Sequence, residues 1–160
     1  MAKTSQRIQL SFTSHAQNRT VKAMNSYAIL IVDDSPDDRF FLARNLRRTG
    51  LPLSIYEVQD GYEAIDYLSH QGNFADRLAY PMPQLLLLDL KMPGKNGFDI
   101  LHWLKQNPPA PPIKIVVLSG SDLDLDIQAA LNLGAERYLI KPAGPEELRN
   151  LICSTLSLAA

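Results

Sequence analysis

The sequence predicts an α/β fold, a parallel sheet with helices packed on both faces. Short apolar runs rich in β-branched residues recur at Ala28–Val32, Leu53–Val58, Gln84–Asp89, Ile113–Leu118 and Arg137–Ile140. Stretches with helical periodicity and clear start signals fall between them. Four of the runs end in a reactive polar residue: Asp33-Asp34, Asp89, Ser119-Gly120 and Lys141-Pro142. Runs this short and this apolar read as strands buried on both faces of a parallel sheet. Five strands alternating with five helices form a doubly wound sheet with right-handed crossovers. Ligands of such sheets bind beyond the carboxyl ends of the strands, so the reactive residues are expected to meet at one edge.

The elements follow in order. Strand 1 is Ala28–Val32. Helix 1 opens at Ser35-Pro36-Asp37-Asp38, where Ser35 can cap, Pro36 suits the first helical position and Asp38 completes a capping box. Phe41, Leu42, Asn45 and Leu46 follow at helical spacing, and Gly50 stops the helix. Strand 2 is Leu53–Val58. Helix 2 starts at Asp60-Gly61-Tyr62-Glu63, a second capping box, with Ala64, Ile65 and Leu68 facing inward. Strand 3 is Gln84–Asp89, and helix 3 begins near Gly97 and buries Ile100, Leu101 and Leu104. Strand 4 is Ile113–Leu118, and helix 4 runs from Asp122 to Leu133. Strand 5 is Arg137–Ile140. Helix 5 begins at Pro145, with Glu146 and Glu147 favouring its positive end. The connection 70–83 is long, and long connections are often functional or mobile. Asn107-Pro-Pro-Ala-Pro-Pro112 reads as a rigid connector rather than an SH3-type ligand.

At 160 residues the chain is long enough for one domain with a real core. A hydrophobic share of 46% and a charged share of 21% suit a soluble globular protein. The formal net charge of −1 argues against a strongly basic nucleic-acid binder. The single cysteine, Cys153, cannot close an internal disulfide, so a reducing cytoplasm is expected. It shares an apolar stripe with Leu148, Leu151, Ile152 and Leu156 and reads as a buried core thiol. No apolar run approaches the roughly 20 residues of a membrane span. Residues 1–25 carry Lys3, Arg7, Arg19 and Lys22 and no acid. Taking those four cations from the chain's −1 leaves about −5 on the remainder. The segment is expected to be a disordered extension ahead of a domain spanning 26–160. A transit-peptide imitation, or a start codon assigned ahead of Met24, are the alternatives.

The residues at the strand ends carry chemistry. Ser35 already supplies a cap, so Asp33 and Asp34 are free for another role. Two acids at a buried strand end repel each other without a cation, and carboxylate oxygens plus waters are what Mg²⁺ prefers. Asp89 is followed by a tight loop, Met92-Pro93-Gly94 and Asn96-Gly97, able to fold back and offer backbone groups to an ion. Phosphorylation of an aspartate needs a metal to neutralise charge and hold the geometry. Ser119 can donate to a phosphoryl oxygen, and Gly120 leaves the approach open. Lys141 supplies a cation, and Pro142 is a candidate cis residue.

In Asp33-Asp34, Asp89 within Leu-Asp-Leu-Lys-Met-Pro-Gly-Lys-Asn-Gly, Ser119-Gly120, Tyr138 and Lys141-Pro142, residues 27–157 resemble the receiver domains of two-component response regulators. The resemblance implies a flavodoxin-like fold with strand order 2-1-3-4-5. It implies that Asp89 accepts a phosphoryl group from a phosphohistidine on a sensor histidine kinase. Asp34 and Asp89, with the backbone carbonyl of Lys91, would bind Mg²⁺ directly, and Asp33 largely through water. Lys141 would pair with the phosphoryl oxygens. Ser119 would move to hydrogen-bond the phosphoryl group, and Tyr138 would then swing inward and reshape the face of helix 4, strand 5 and helix 5. The chain ends soon after helix 5, which resembles stand-alone receivers acting through a protein partner. The 70–83 connection and the Leu-Leu-Leu-Leu-Asp-Leu lead-in resemble the small regulators paired with bacterial and cyanobacterial phytochromes, which often form homodimers through that same face.

Lys91 sits two residues after Asp89. A cation there is expected to stabilise the phosphoryl charge and obstruct the hydrolytic water, slowing self-dephosphorylation; a solvated surface lysine is the alternative. Other functions fit less well. A haloacid-dehalogenase-type phosphatase needs a second acid where Lys91 stands. A flavodoxin-like cofactor binder needs a phosphate-cradling loop where Asp33-Asp34-Ser35-Pro36-Asp37-Asp38 would repel phosphate. A degenerate receiver serving as a phosphorylation-independent docking module would not need the complete residue set.

Overall fold

A computed structural model describes residues 26–158, and the expected extension 1–25 lies outside the described residues. Strands β1 (Tyr27–Val32), β2 (Leu53–Val58), β3 (Leu85–Leu88), β4 (Lys114–Ser119) and β5 (Arg137–Ile140) form one parallel sheet in the order β2-β1-β3-β4-β5. Helices α1 (Pro36–Arg48), α2 (Gly61–Ser69), α3 (Gly97–Gln106), α4 (Asp124–Asn132) and α5 (Pro145–Thr155) alternate with the strands. The order implied by the resemblance is the order found.

Strand periodicity splits the core in two. Leu30, Val32, Leu86, Leu88 and Val117 point to one face, where Ala64 and Leu68 of α2, Ile100, Leu101 and Leu104 of α3, and Ala130 of α4 cover them. Ile29, Ile31, Leu85, Leu87, Val116 and Leu118 point to the other, beneath Leu42, Ala43 and Leu46 of α1 and Leu148, Leu151 and Ile152 of α5. Each buried leucine or isoleucine contributes about 1.5–3 kcal/mol of transfer free energy. Cys153 is a buried free thiol, as its stripe predicts. The Lys141–Pro142 bond is cis.

Several local expectations change in three dimensions. β5 is not buried on both faces, because it is an edge strand paired only with β4, and Ile140 is 49% exposed. Phe41 leaves the core stripe and is exposed beside Phe40, ring centroids 5.7 Å apart. Ala43 takes the inward position instead. On α2, Tyr67 is buried while Ile65 is only half-buried. Both expected capping boxes are half made. Ser35 accepts from the Asp38 N–H, and Asp60 from the N–H groups of Tyr62 and Glu63. The reciprocal arms go elsewhere: Glu63 accepts from Gln59, and Asp38 turns to Lys141. Helix α4 starts two residues later than expected, with Leu123 at its cap position and no side-chain cap. The 70–83 connection is packed rather than loose: a short 3-10 turn (Gly72–Phe74) and Tyr80 stack on Tyr67, whose hydroxyl donates to the Pro81 carbonyl at 3.0 Å.

The β3–α3 loop is held by close approach. The Gly97 N–H donates to the Leu90 carbonyl at 3.1 Å, and a Cβ on Gly97 would collide with the Asp89 carbonyl and the Leu90 Cα. Gly120 has open space where a Cβ would be. Urea unfolding should therefore separate the two sites. Gly97→Ala is expected to cost about 1–3 kcal/mol through overpacking. Gly120→Ala should stay within about 0.5 kcal/mol of wild type. Equal midpoints for Gly97→Ala and wild type would contradict the close approach.

Candidate functional site

Sheet register builds the site. Val32 pairs with Leu88, so Asp33 and Asp89 follow side by side, and the Asp89 N–H donates to the Val32 carbonyl at 2.9 Å. Ser119 pairs with Ile140, and the Lys141 N–H donates to the Ser119 carbonyl at 2.9 Å. All five strand-end residues named from the sequence (Asp33, Asp34, Asp89, Ser119, Lys141) therefore stand at the carboxyl edge of the sheet.

Carboxylate oxygens of Asp33, Asp34 and Asp89 lie within 4.8 Å of one another. Asp33 is 2% exposed and Asp89 7%, whereas Asp34 is exposed. The Lys141 ammonium reaches three acids: 2.5 Å to Asp33 Oδ2, 3.0 Å to Asp38 Oδ2 and 3.5 Å to Asp89 Oδ2. Asp33 Oδ1 also accepts from the Ser35 N–H at 2.9 Å, and its backbone carbonyl accepts from Arg39 Nη1 at 2.6 Å. The Lys91 N–H faces Asp89 Oδ1 at 3.4 Å, and the Lys91 residue is exposed.

Burial pushes the Asp33 carboxyl above its ordinary value, and the hydrogen bonds from Lys141 and Ser35 pull it back only partly. For Lys141, burial alone would lower the pKa, but the hydrogen bonds to Asp33 and Asp38 outweigh it and hold the ammonium charged. Three carboxylates thus share one ammonium, and a fourth, Asp34, stands beside them. An all-oxygen, electron-rich donor set with that surplus of negative charge suits a hard divalent cation. Asp89 keeps a carboxylate available as a nucleophile next to a fixed positive charge.

Ser119 is fully buried, and its Oγ faces the Ser121 N–H at 3.4 Å. Tyr138 already lies inward: it is half-buried and its hydroxyl donates to the Ser121 carbonyl at 2.8 Å. Burial raises its phenol pKa. The resemblance implies this inward position for the phosphorylated site. Three further residues were not read from the sequence as part of the site. Asp38 was taken for a helix cap. Arg39 carried no local signal. Ser121 stood only two residues beyond Ser119, and its contact with Tyr138 joins residues 17 positions apart.

Comparison with known proteins agrees with this geometry. The family pattern described as "Response regulator receiver domain" matches residues 29–153. Response regulator Rcp1 of Synechocystis sp. is 32% identical over 124 residues, 78% of this chain and 82% of Rcp1. Its Mn²⁺-bound crystal form superposes with a TM-score of 0.68 over 81% of this chain and 94% of the other, at 32% identity. The response regulator in red light signaling of R. palustris gives a TM-score of 0.75 at 29% identity, covering 84% of this chain and 96% of that one. The phosphorylated cyanobacterial phytochrome response regulator RcpA gives 0.72 at 31% identity, covering 84% and 97%. Among the described residues no helix is long and apolar enough to cross a membrane. By sequence pattern, by fold and by similarity to the phytochrome response regulators, the chain belongs to the response regulator receiver domain family of two-component signalling.

Proposed function

We propose that this chain is a phosphorylatable switch. Asp89 accepts a phosphoryl group from a phosphohistidine on a sensor histidine kinase, one resembling a phytochrome. The observation that carries the reading is the meeting of Asp33, Asp34, Asp89 and Lys141 at the sheet edge, with buried Ser119 on the neighbouring strand end. Asp33, Asp34 and Asp89, with the Lys91 carbonyl, would hold Mg²⁺. The cation supplies charge neutralisation and in-line alignment of the phosphoryl group. An Asp89 carboxylate oxygen bonds to phosphorus as the bond to the donor histidine breaks, and the imidazole leaves. Lys141 then exchanges carboxylate partners for the new phosphoryl oxygens, and Ser119 donates its hydroxyl to another.

The added charge is read at the face formed by α4, β5 and α5. That face carries exposed Leu125, Leu131 and Ile140 and is where a homodimer or a downstream protein would dock. No direct nucleic-acid contact is part of this reading, and the kinase partnership places the chain in the cytoplasm. Complete Asp89 and Lys141 chemistry makes a docking module without phosphorylation the weaker reading.

Intact mass after incubation with acetyl phosphate tests the switch. A phosphoryl adduct should form with Mg²⁺, vanish without it, and be absent in Asp89→Asn. No adduct on wild type in saturating Mg²⁺ would refute the reading. The same assay run over time addresses Lys91. Lys91→Ala should shorten the acyl-phosphate lifetime several-fold, and an unchanged lifetime would return Lys91 to the solvated surface.

Metal binding has its own readout. Binding at a Mg²⁺ concentration on the order of a hundredfold above Kd should stabilise the fold by about 2.7 kcal/mol. That corresponds to about 5–10 °C in Tm for a domain this size. Asp33→Asn should lose most of that rise. The pH dependence follows from Asp33. Its folded pKa is raised, so its ionised form weakens the metal-free fold at pH above that pKa, and Mg²⁺ removes the penalty. Without Mg²⁺ the Asp33 carboxyl, followed by NMR, should titrate above the ordinary 3.8 of an aspartate. A midpoint at or below that value would contradict the burial argument.

A further inference from the structure

We propose that Ser121 and Asp126 form a clamp that positions the β4–α4 turn against Tyr138 and tunes how readily the site accepts a phosphoryl group. The proposal rests on the phosphorylation reading above. Ser121 is 3% exposed and uses every polar group it has. Its hydroxyl donates to Asp126 Oδ2 at 2.6 Å, a short charge-assisted bond. Its carbonyl accepts from the Tyr138 hydroxyl at 2.8 Å, and its N–H faces Ser119 Oγ at 3.4 Å. One residue therefore joins α4, β5 and the phosphoryl-facing hydroxyl.

The surroundings leave that residue in control of the turn. Leu123 at the cap position of α4 provides no side-chain hydrogen bond, so helix α4 is not tied to the turn there. Asp126 lies in the first turn of α4, where its charge is favoured by the helix dipole. Gly120, between Ser119 and Ser121, has open space where a Cβ would be and so gives the turn no side-chain packing of its own. A residue without a side chain on one side and an uncapped helix on the other make the Ser121–Asp126 bond the link that transmits motion. When Ser119 turns toward Asp89 it gives up the Ser121 N–H, and the turn responds together with α4 and Tyr138. By holding the Ser121 carbonyl where the Tyr138 hydroxyl meets it, the clamp favours the inward arrangement that the phosphorylation reading assigns to the phosphorylated site. Loss of the clamp lowers the population of that arrangement, and apparent affinity falls by the same factor.

Beryllofluoride, a phosphoryl mimic, is titrated by calorimetry into the Mg²⁺-loaded protein. Ser121→Ala and Asp126→Asn should each weaken its binding about fivefold or more. Mg²⁺ affinity, measured separately, should stay within about twofold, since neither residue touches the acids. The double variant should be no weaker than either single one, because both remove the same bond. Ser121→Thr, which keeps the hydroxyl, should bind close to wild type. Beryllofluoride binding unchanged in Ser121→Ala, or losses that multiply in the double variant, would overturn the clamp. A wild type that binds Mg²⁺ but no beryllofluoride would instead overturn the phosphorylation reading beneath it.

Discussion

One ammonium among four carboxylates is the constraint on which the rest of this structure depends. Lys141 lies close to Asp33, Asp38 and Asp89, and Asp34 stands at the rim with no cation of its own. Burying a charge without a partner is costly, and a single lysine cannot neutralise this set. Burial holds the Asp33 carboxyl above its ordinary value against the hydrogen bonds it receives, and the neighbouring Asp89 charge adds a smaller push. A site so balanced is stable enough to fold and unsatisfied enough to bind. On this account a divalent cation and then a phosphoryl group complete it, and Lys141 changes partners as they arrive.

The sheet delivers that arrangement with little dependence on loops. Paired register puts Asp33 beside Asp89, and β4 with β5 brings Ser119 beside Lys141. The same alternation that sends Leu30 and Leu86 to one core and Ile29 and Leu85 to the other fixes which way the strand ends face. Residues more than a hundred positions apart in sequence meet because the strands that carry them stop at a common edge. Arg39 then braces the Asp33 carbonyl from α1, so the acid pair is held by backbone as well as by charge.

Strand identity, helix starts and the principal site residues were legible because they depend on local pattern. A buried strand needs an uninterrupted apolar run, and the reactive residue must stand directly after it. What was not legible depends on partners distant in sequence. Asp38 has the spacing of a helix cap, yet the half-buried Lys141 ammonium just past β5 offers a stronger partner than one exposed N–H. Phe41 fits the helical stripe by spacing, but the rotation of α1 on the sheet gives the inward place to Ala43. The edge position of β5 follows from strand order, which its own four residues do not encode. Tyr138 was named as a switch residue without a hydrogen-bond partner. Its inward position depends on the Ser121 carbonyl, and no spacing in the sequence announces that hydrogen bond.

The most direct measurement is a crystal structure of the Mg²⁺–beryllofluoride complex, read at Lys141 Nζ. The account predicts that the ammonium leaves Asp38 and Asp33 for a fluorine on the beryllium bonded to Asp89, with Ser119 Oγ on another. An ammonium still bound to Asp33 and Asp38, with Asp89 carrying the mimic unaided, would contradict it.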